Sequence, residues 1–155
     1  MKIIATEKIV EHFNEVISCT RCDQWTSKKL LRDSGENIAQ PGWVGSNYAE
    51  HRVLLVGQNP GVPPTHMLAR DAIYTAALRK LARSGSESDY KYLYKVLEQF
   101  VPEWPVQRNY FPLAESGIGL EDIAYCNVVR CRTVDNAAPS NHVVQNCLSH
   151  FESFV

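Results

Sequence analysis

The sequence holds no run of about 18 apolar residues, so no helix in it is expected to cross a membrane. Its first residues, Met1 to Val10, lack the basic head and apolar middle of a secretory signal, which points to an intracellular, cytoplasmic protein. No internal repeat and no low-complexity tract is present, which excludes solenoids and fibrous arrays. An excess of one charge is missing as well: 16 Lys and Arg stand against 17 Asp and Glu, for a net charge of −1. That excludes coating of nucleic acid through overall basicity but leaves room for a local basic face. Lys28-Lys29, Arg79-Lys80-Arg83 and Arg130/Arg132 are the clusters available for one, each by default a solvated surface. A disulfide framework is also disfavoured, because the five cysteines are odd in number and the setting is intracellular. Metal or cluster ligation, or plain burial, remain for them. What is present is ordinary: 45% apolar and 21% charged residues over 155 positions suit one globular domain spanning 1–155.

Periodicity predicts a helix over Thr6 to Ile17, with Ile9, Val10, Phe13, Val16 and Ile17 on one stripe and Thr6 as N-cap. Ser18-Cys19-Thr20-Arg21-Cys22 follows, and then an irregular stretch to about His51 containing Gly35, Pro41-Gly42 and Gly45. A connection this long is usually functional or tied down. Arg52 to Gly57 reads as a strand covered on both faces, ending in the turn Gln58-Asn59-Pro60-Gly61. Helices are expected over Ala69 to Arg83, stopped at Gly85, and over Tyr90 to Phe100, stopped by Pro102. Ile123 to Val129 is a second buried strand, and Ser140 to Val155 a last helix. Strand, helices, strand, helix implies an α/β fold with a parallel sheet. Two strands make no stable sheet. Short strands around Gln40–Tyr48 and Asn109–Leu113 are therefore expected, as is a longer parent protein from which this chain is cut.

In open α/β sheets ligands bind beyond the carboxyl ends of the strands. Those ends here are Gly57-Gln58-Asn59-Pro60-Gly61 and Asn127-Val128-Val129-Arg130-Cys131-Arg132. The first resembles the opening motif of the uracil-DNA glycosylase superfamily. The second is similar to the second-strand segment of its thermophile-type, iron–sulfur branch. That branch also carries Cys-x-x-Cys after its first helix and a further Cys beyond the Cys-Arg, and Cys19/Cys22 and Cys131/Cys147 occupy those places. The resemblance runs from about Glu11 to the end of the chain.

The resemblance implies a three-layer α/β/α fold with a central, mainly parallel sheet. It implies a monomeric hydrolase of base excision repair that removes uracil or another deaminated base from DNA. Cys19, Cys22, Cys131 and Cys147 would hold a 4Fe–4S cluster of structural role. A structural zinc ion accepts the same four thiolates, and burial of Cys131 and Cys147 beside a redox-active Cys19-x-x-Cys22 is the remaining option. Cys126, mid-strand, is read as a core thiol.

The catalytic candidate is Asn59, which would position a water near the sugar C1′. An amide is a poor base, so the transition state would be dissociative; alternatively Asn59 is a turn residue before Pro60. By resemblance the Gln58 backbone N–H faces uracil O2, and Pro60 and Gly61 let the chain approach the base, with Gly61 leaving room at C5. Asn127 could donate to uracil O4 and accept from N3–H, or bond the backbone of a neighbouring strand. The flipped base needs a ring or side chain to stack on. Tyr74, or His66 and Met67, are the candidates, with Tyr74 otherwise a core residue.

Four departures stand beside the resemblance. The iron–sulfur branch usually reads Gly-Glu-Ala-Pro-Gly where this chain reads Gly-Gln-Asn-Pro-Gly; Thr133 replaces a Pro after Cys-Arg; a Pro-Phe-x-Gly stretch is absent; and no late His-Pro-Ser/Ala motif occurs. The last leaves a non-catalytic iron–sulfur, nucleic-acid-binding relative as the alternative function.

Overall fold

Thr6 caps the first helix, α1 (Glu7–Ile17), its side-chain oxygen accepting from the Ile9 N–H. Val10, Phe13, Val16 and Ile17 form its buried stripe. The computed structural model describes residues 6–22, 30–31, 38–104 and 113–154. Two short strands follow, β1 (Leu30–Leu31) and β2 (Trp43–Val44), then a single helical turn, α2 (Tyr48–His51), and β3 (Val53–Gly57). A parallel partner for β3 requires a crossover connection. It carries α3 (Leu68–Ser84), α4 (Glu87–Phe100) and the short α5 (Leu113–Ser116) before β4 (Ile123–Asn127). β5 (Arg132–Thr133) and α6 (Asn141–Glu152) complete the chain.

β4 is the middle of a three-stranded mixed sheet ordered β2-β4-β3. It runs parallel to β3, from Val53 opposite Ile123 to Gly57 opposite Asn127, and antiparallel to β2. β1 and β5 form a separate antiparallel pair. The fold is thus mixed α/β. The segment Gln40–Tyr48 does contain a strand, β2. Of the other expected segment, Asn109–Leu113, residues 109–112 lie outside the described residues and Leu113 opens α5.

One strand differs from expectation. Every residue of β4 is buried, but among the described residues β3 has β4 alone beside it, and Val56 is 41% exposed. A continuous apolar run does not by itself distinguish a central strand from an edge strand. β4 ends at Asn127 rather than Val129, and the chain then bends. The Val128 and Val129 N–H groups still donate to Gly57 O and Gln58 O, both at 2.9 Å, which keeps the two strand ends together.

The principal core lies between α1, α3, α4 and the sheet, around Leu78, Leu81, Leu93 and Leu97. Trp43 is fully buried there. Its indole N–H donates to Leu120 O (3.0 Å) and its ring lies 4.4 Å from that of Tyr94. Gly85, at φ +58°, ends α3 in the left-handed cap that glycine adopts without strain. Ser86 accepts from the Asp89 N–H and starts α4 three residues earlier than periodicity predicts. Among the described residues no helix is long and apolar enough to cross a membrane.

Candidate functional site

The loops leaving β3 and β4 are joined by side chains. Asn59 Nδ2 donates to Thr133 Oγ1 (3.1 Å), Arg132 Nε to Gly61 O (2.9 Å), and the Val62 N–H to Asn136 Oδ1 (2.8 Å). Asp135 and Asn136 lie at φ +54° and +53°, the left-handed region that short polar side chains tolerate, so an Asp-Asn pair suits this turn. Arg132 also forms a two-pronged ion pair with Asp71 of α3, one prong at 2.8 Å. The side chains of this pair are 7% and 15% exposed, so the loop after β4 is pinned to α3 inside the protein.

Beneath the clasp is a cavity of about 260 Å³, lined by Gly57–Pro64, Gln40, Met67, Trp104, Tyr125 and Asn127. The Trp104 and Tyr125 rings lie 5.3 Å apart. Asn127 is 5% exposed, and its Oδ1 accepts from the Tyr125 hydroxyl at 3.0 Å. Tyr125 and Asn127 are two apart on β4 and so share a face. The alternative partner for Asn127, the backbone of a neighbouring strand, is thus not the one its oxygen takes. Gly57, opposite Asn127, leaves space for this pair: a Cβ there would lie 2.2 Å from Asn127 Oδ1 and 3.0 Å from Tyr125 Oη. On the opposite loop, the Asn59 amide nitrogen is engaged with Thr133 and, at 3.4 Å, with Pro60 O. Thr133 Oγ1 passes its own proton to Ala137 O at 2.7 Å. Among the described residues, Asn59 Oδ1 and Asn127 Nδ2 have no protein partner, so one acceptor and one donor remain for an occupant.

Gln58, Asn59, Gly61 and Asn127 are therefore gathered at one cavity. Tyr74 is not. It is 3% exposed, packs in the core at 6.4 Å from the Trp104 ring, and burial pushes its hydroxyl pKa well up. A stacking role for Tyr74 is corrected accordingly: its helical stripe turns it inward, as such spacing usually does. Met67 lines the cavity, whereas His66 is exposed and does not. Sequence reasoning missed Trp104 and Tyr125. The signal for Trp104 was a large aromatic standing between Pro102 and Pro105, where no regular element could bury it. Tyr125 was hidden in a strand whose every residue is buried.

The cysteines gather on the other side of the β4–β5 bend. Cys22, Cys131 and Cys147 share one buried cluster with Val16, Leu30, Ala39, Val129 and Val143. Cys19, half-buried, lies near enough that its charge acts on Cys147. Burial raises the Cys147 pKa, a backbone hydrogen bond from Arg130 opposes this, and Cys22 and Cys19 raise it further. The end of α1, the bend after β4 and α6 thus bring Cys22, Cys131 and Cys147 into one apolar cluster with Cys19 near Cys147, and thiolates are the donor type that an iron–sulfur cluster or zinc takes. Among the described residues no three His, Cys, Asp or Glu stand in metal-holding geometry. Cys126 is fully buried in β4 and lies outside that cluster.

Arg130 and Arg132 do not form a basic face. Arg130 is 1% exposed, donates to Pro41 O (2.8 Å) and His150 O (3.1 Å), and stands 5.1 Å from the Phe154 ring. Arg132 is taken up by Gly61 and Asp71. In the third cluster Lys80 pairs with Asp89 at 2.7 Å, and Lys28-Lys29 lies outside the described residues.

No protein-family model matches the chain, and no curated protein matches it. What the site can do must therefore be argued from its geometry. It has a small cavity at the carboxyl ends of two parallel strands, two aromatic rings, and two amides each presenting one unengaged end.

Proposed function

We propose that the chain is a DNA glycosylase of uracil-DNA glycosylase-like, three-layer α/β/α fold, hydrolysing the bond between deoxyribose and uracil or another deaminated base. The observation that carries this reading is the pair Asn59 and Asn127 on opposite strand ends around one cavity. In this reading Asn127 Nδ2 would donate to a carbonyl of an extruded base. Asn59, held at its nitrogen by Thr133, keeps Oδ1 to accept from a water. An amide orients water without taking its proton. The glycosidic bond would therefore break ahead of attack, leaving an anionic base and a sugar cation. The water oxygen then joins C1′ and its proton passes to solvent or the departing base. The Trp104 and Tyr125 rings supply apolar surface for the base, and the Gly57–Gly61 backbone its close approach.

In the same reading Cys19, Cys22, Cys131 and Cys147 would hold the 4Fe–4S cluster. When bound, it supplies a cross-link between the N-terminal segment, the bend after β4 and α6, with no part in bond cleavage. The preferred substrate of the reading is DNA carrying uracil, and the protein acts without a membrane.

The test is release of base from an oligonucleotide with a single uracil, using anaerobically purified protein. Release that falls sharply in Asn59→Ala is the expected result. Absence of release from folded protein rejects the activity. Iron and sulfide content, with the brown colour of a cluster, is read on the same sample; colourless protein containing zinc rejects the cluster alone.

A further inference from the structure

We infer that Arg130 is the built-in counter-charge of an anionic thiolate centre: its guanidinium is buried beside the cysteines without a carboxylate, and is matched when Cys19, Cys22, Cys131 and Cys147 hold metal as thiolates. This rests on the metal-binding part of the reading above and assigns a residue that sets how tightly that site holds its metal.

A guanidinium taken out of water is costly to bury unless an anion faces it. Arg130 is 1% exposed. Its two terminal nitrogens donate to Pro41 O (2.8 Å) and His150 O (3.1 Å), and the Phe154 ring lies 5.1 Å away. These partners are neutral. Among the described residues no carboxylate pairs with Arg130, whereas Arg132, two positions on and also buried, has Asp71. Burial lowers the Arg130 pKa, but an arginine keeps its charge at neutral pH.

The other titratable side chains around the guanidinium do not supply the missing anion. His12 and His150 can only be neutral or cationic, and burial, with Arg130 adding to it, keeps both towards the neutral form. Burial likewise holds the Tyr74 hydroxyl and the nearby Cys126 thiol protonated. The cysteines at the bend remain. The Arg130 backbone N–H bonds Cys147, the guanidinium acts electrostatically on the same residue, and Cys131 is next in the chain.

As neutral thiols these cysteines leave the Arg130 charge unmatched. As thiolates around zinc or a 4Fe–4S core they carry net negative charge, which is itself costly to bury without a cation. Each charge therefore offsets the cost of burying the other. Arg21, the other cation beside this cluster, is exposed, and water screens its charge.

The test separates charge from hydrogen bonding. Arg130→Lys keeps the charge and loses the two-carbonyl fork; Arg130→Gln keeps a donor and loses the charge. The full chain, purified anaerobically and stripped of metal, is titrated with Co2+, whose sulfur-to-metal absorption reports thiolate ligation, and then with Zn2+ in competition. Arg130→Gln is expected to weaken metal binding by about ten- to a hundredfold, the usual effect of losing an outer partner of a metal site, with Arg130→Lys close to wild type. If a chain folds only when loaded, or is isolated brown and takes no Co2+, chelator-driven loss of its metal is timed instead, with the same order expected. Cys126→Ser should leave the affinity unchanged; a fall equal to that of Arg130→Gln would make Cys126 the partner and overturn the inference. Equal affinity in wild type and Arg130→Gln overturns it too, as does Arg130→Lys binding no better than Arg130→Gln, or failure of both variants to fold even when loaded, since the bonds to Pro41 and His150 would then be what the residue supplies. Each of these leaves the metal site standing. A wild type isolated without metal that gives no thiolate absorption with Co2+ overturns the inference and the metal-binding reading together.

Discussion

The cavity and the thiol cluster meet along the same short stretch, Asn127 to Thr133, and are held in opposite ways. On the cavity side the cross-links are directional. Asn59 to Thr133, Val62 to Asn136, Arg132 to Gly61 and Asp71, and Tyr125 to Asn127 each set the orientation of a particular polar atom. On the thiol side Val16, Leu30, Val129 and Val143 close around the sulfurs. Hydrogen bonds reach it as well, among them Asn146 Nδ2 to Cys22 Sγ at 3.5 Å and the Arg130 backbone to Cys147, with Arg21 to Ser149 nearby. Apolar burial is non-directional: it brings groups near without deciding which way they point. Hydrogen bonds fix direction within narrow limits. A site that reads a small ligand needs the second kind of support before the ligand arrives. A site whose donors turn towards a bound ion can form with the first kind alone.

The largest expected effect is that of Arg132→Ala. It leaves the Asp71 carboxylate buried and unpaired, and should destabilise the fold by about 3–5 kcal/mol in urea unfolding. Joint replacement by Arg132→Met and Asp71→Leu should recover most of that loss, because it removes the stranded charge. Equal destabilisation by the single and double variants would show that the pair is not what clasps the loops. Gly57→Ala comes next. Its methyl group meets Asn127 Oδ1, and overpacking of this kind costs roughly 1–3 kcal/mol. The Asn127 amide signals should move, with the metal content of the purified protein unaltered. A parallel loss of metal would break the separation between the two regions. Thr133→Val removes the tether on Asn59 for about 1 kcal/mol. It should widen the motion of the Asn59 side chain, seen in its NMR amide relaxation, more than it changes stability.

The smallest effect lies at His12 of α1, whose ring packs against Phe13 and Phe154 rather than against the thiols. Burial, then Arg130 and His150, holds the His12 pKa down to about 4 from the ordinary 6.5. The unfolded chain takes up that proton first as pH falls, so stability is full above 6.5 and declines as pH drops towards 4. His12→Leu should flatten that slope in part. His150, also lowered chiefly by burial, keeps the remainder. A slope unchanged by His12→Leu would mean that its imidazole is protonated in the folded protein.

Much of this arrangement was legible beforehand. The capped helix at Thr6, the helix ended at Gly85 and the strand before Gly57 each declare themselves within a few residues, because capping, periodicity and turn chemistry are local. The polar residues of the cavity, Gln58, Asn59, Gly61 and Asn127, were legible because loops at strand ends in α/β sheets converge. Three features were not. Val56 is 41% exposed on a strand that, among the described residues, stands at the end of the order β2-β4-β3, and strand order is invisible in a strand's own residues. Tyr74 faces the core, since one aromatic on an amphipathic helix looks alike whether it meets a ligand or packing neighbours. Arg130 and Arg132 read as surface charge, yet are buried by carbonyls and a carboxylate contributed by distant segments.

By itself, then, the sequence determined which long segments are helix and strand, with ends good to about three residues, and which residue types stand at the strand ends. These depend on neighbours within a turn or two. The tertiary structure decided which end of the Asn59 amide is left for an occupant: its nitrogen goes to Thr133, whose hydroxyl donates its own proton to Ala137 O and so can only accept. Orientation of an amide follows from the hydrogen bond that its other end makes, and for Asn59 that bond comes from a segment brought close only by folding.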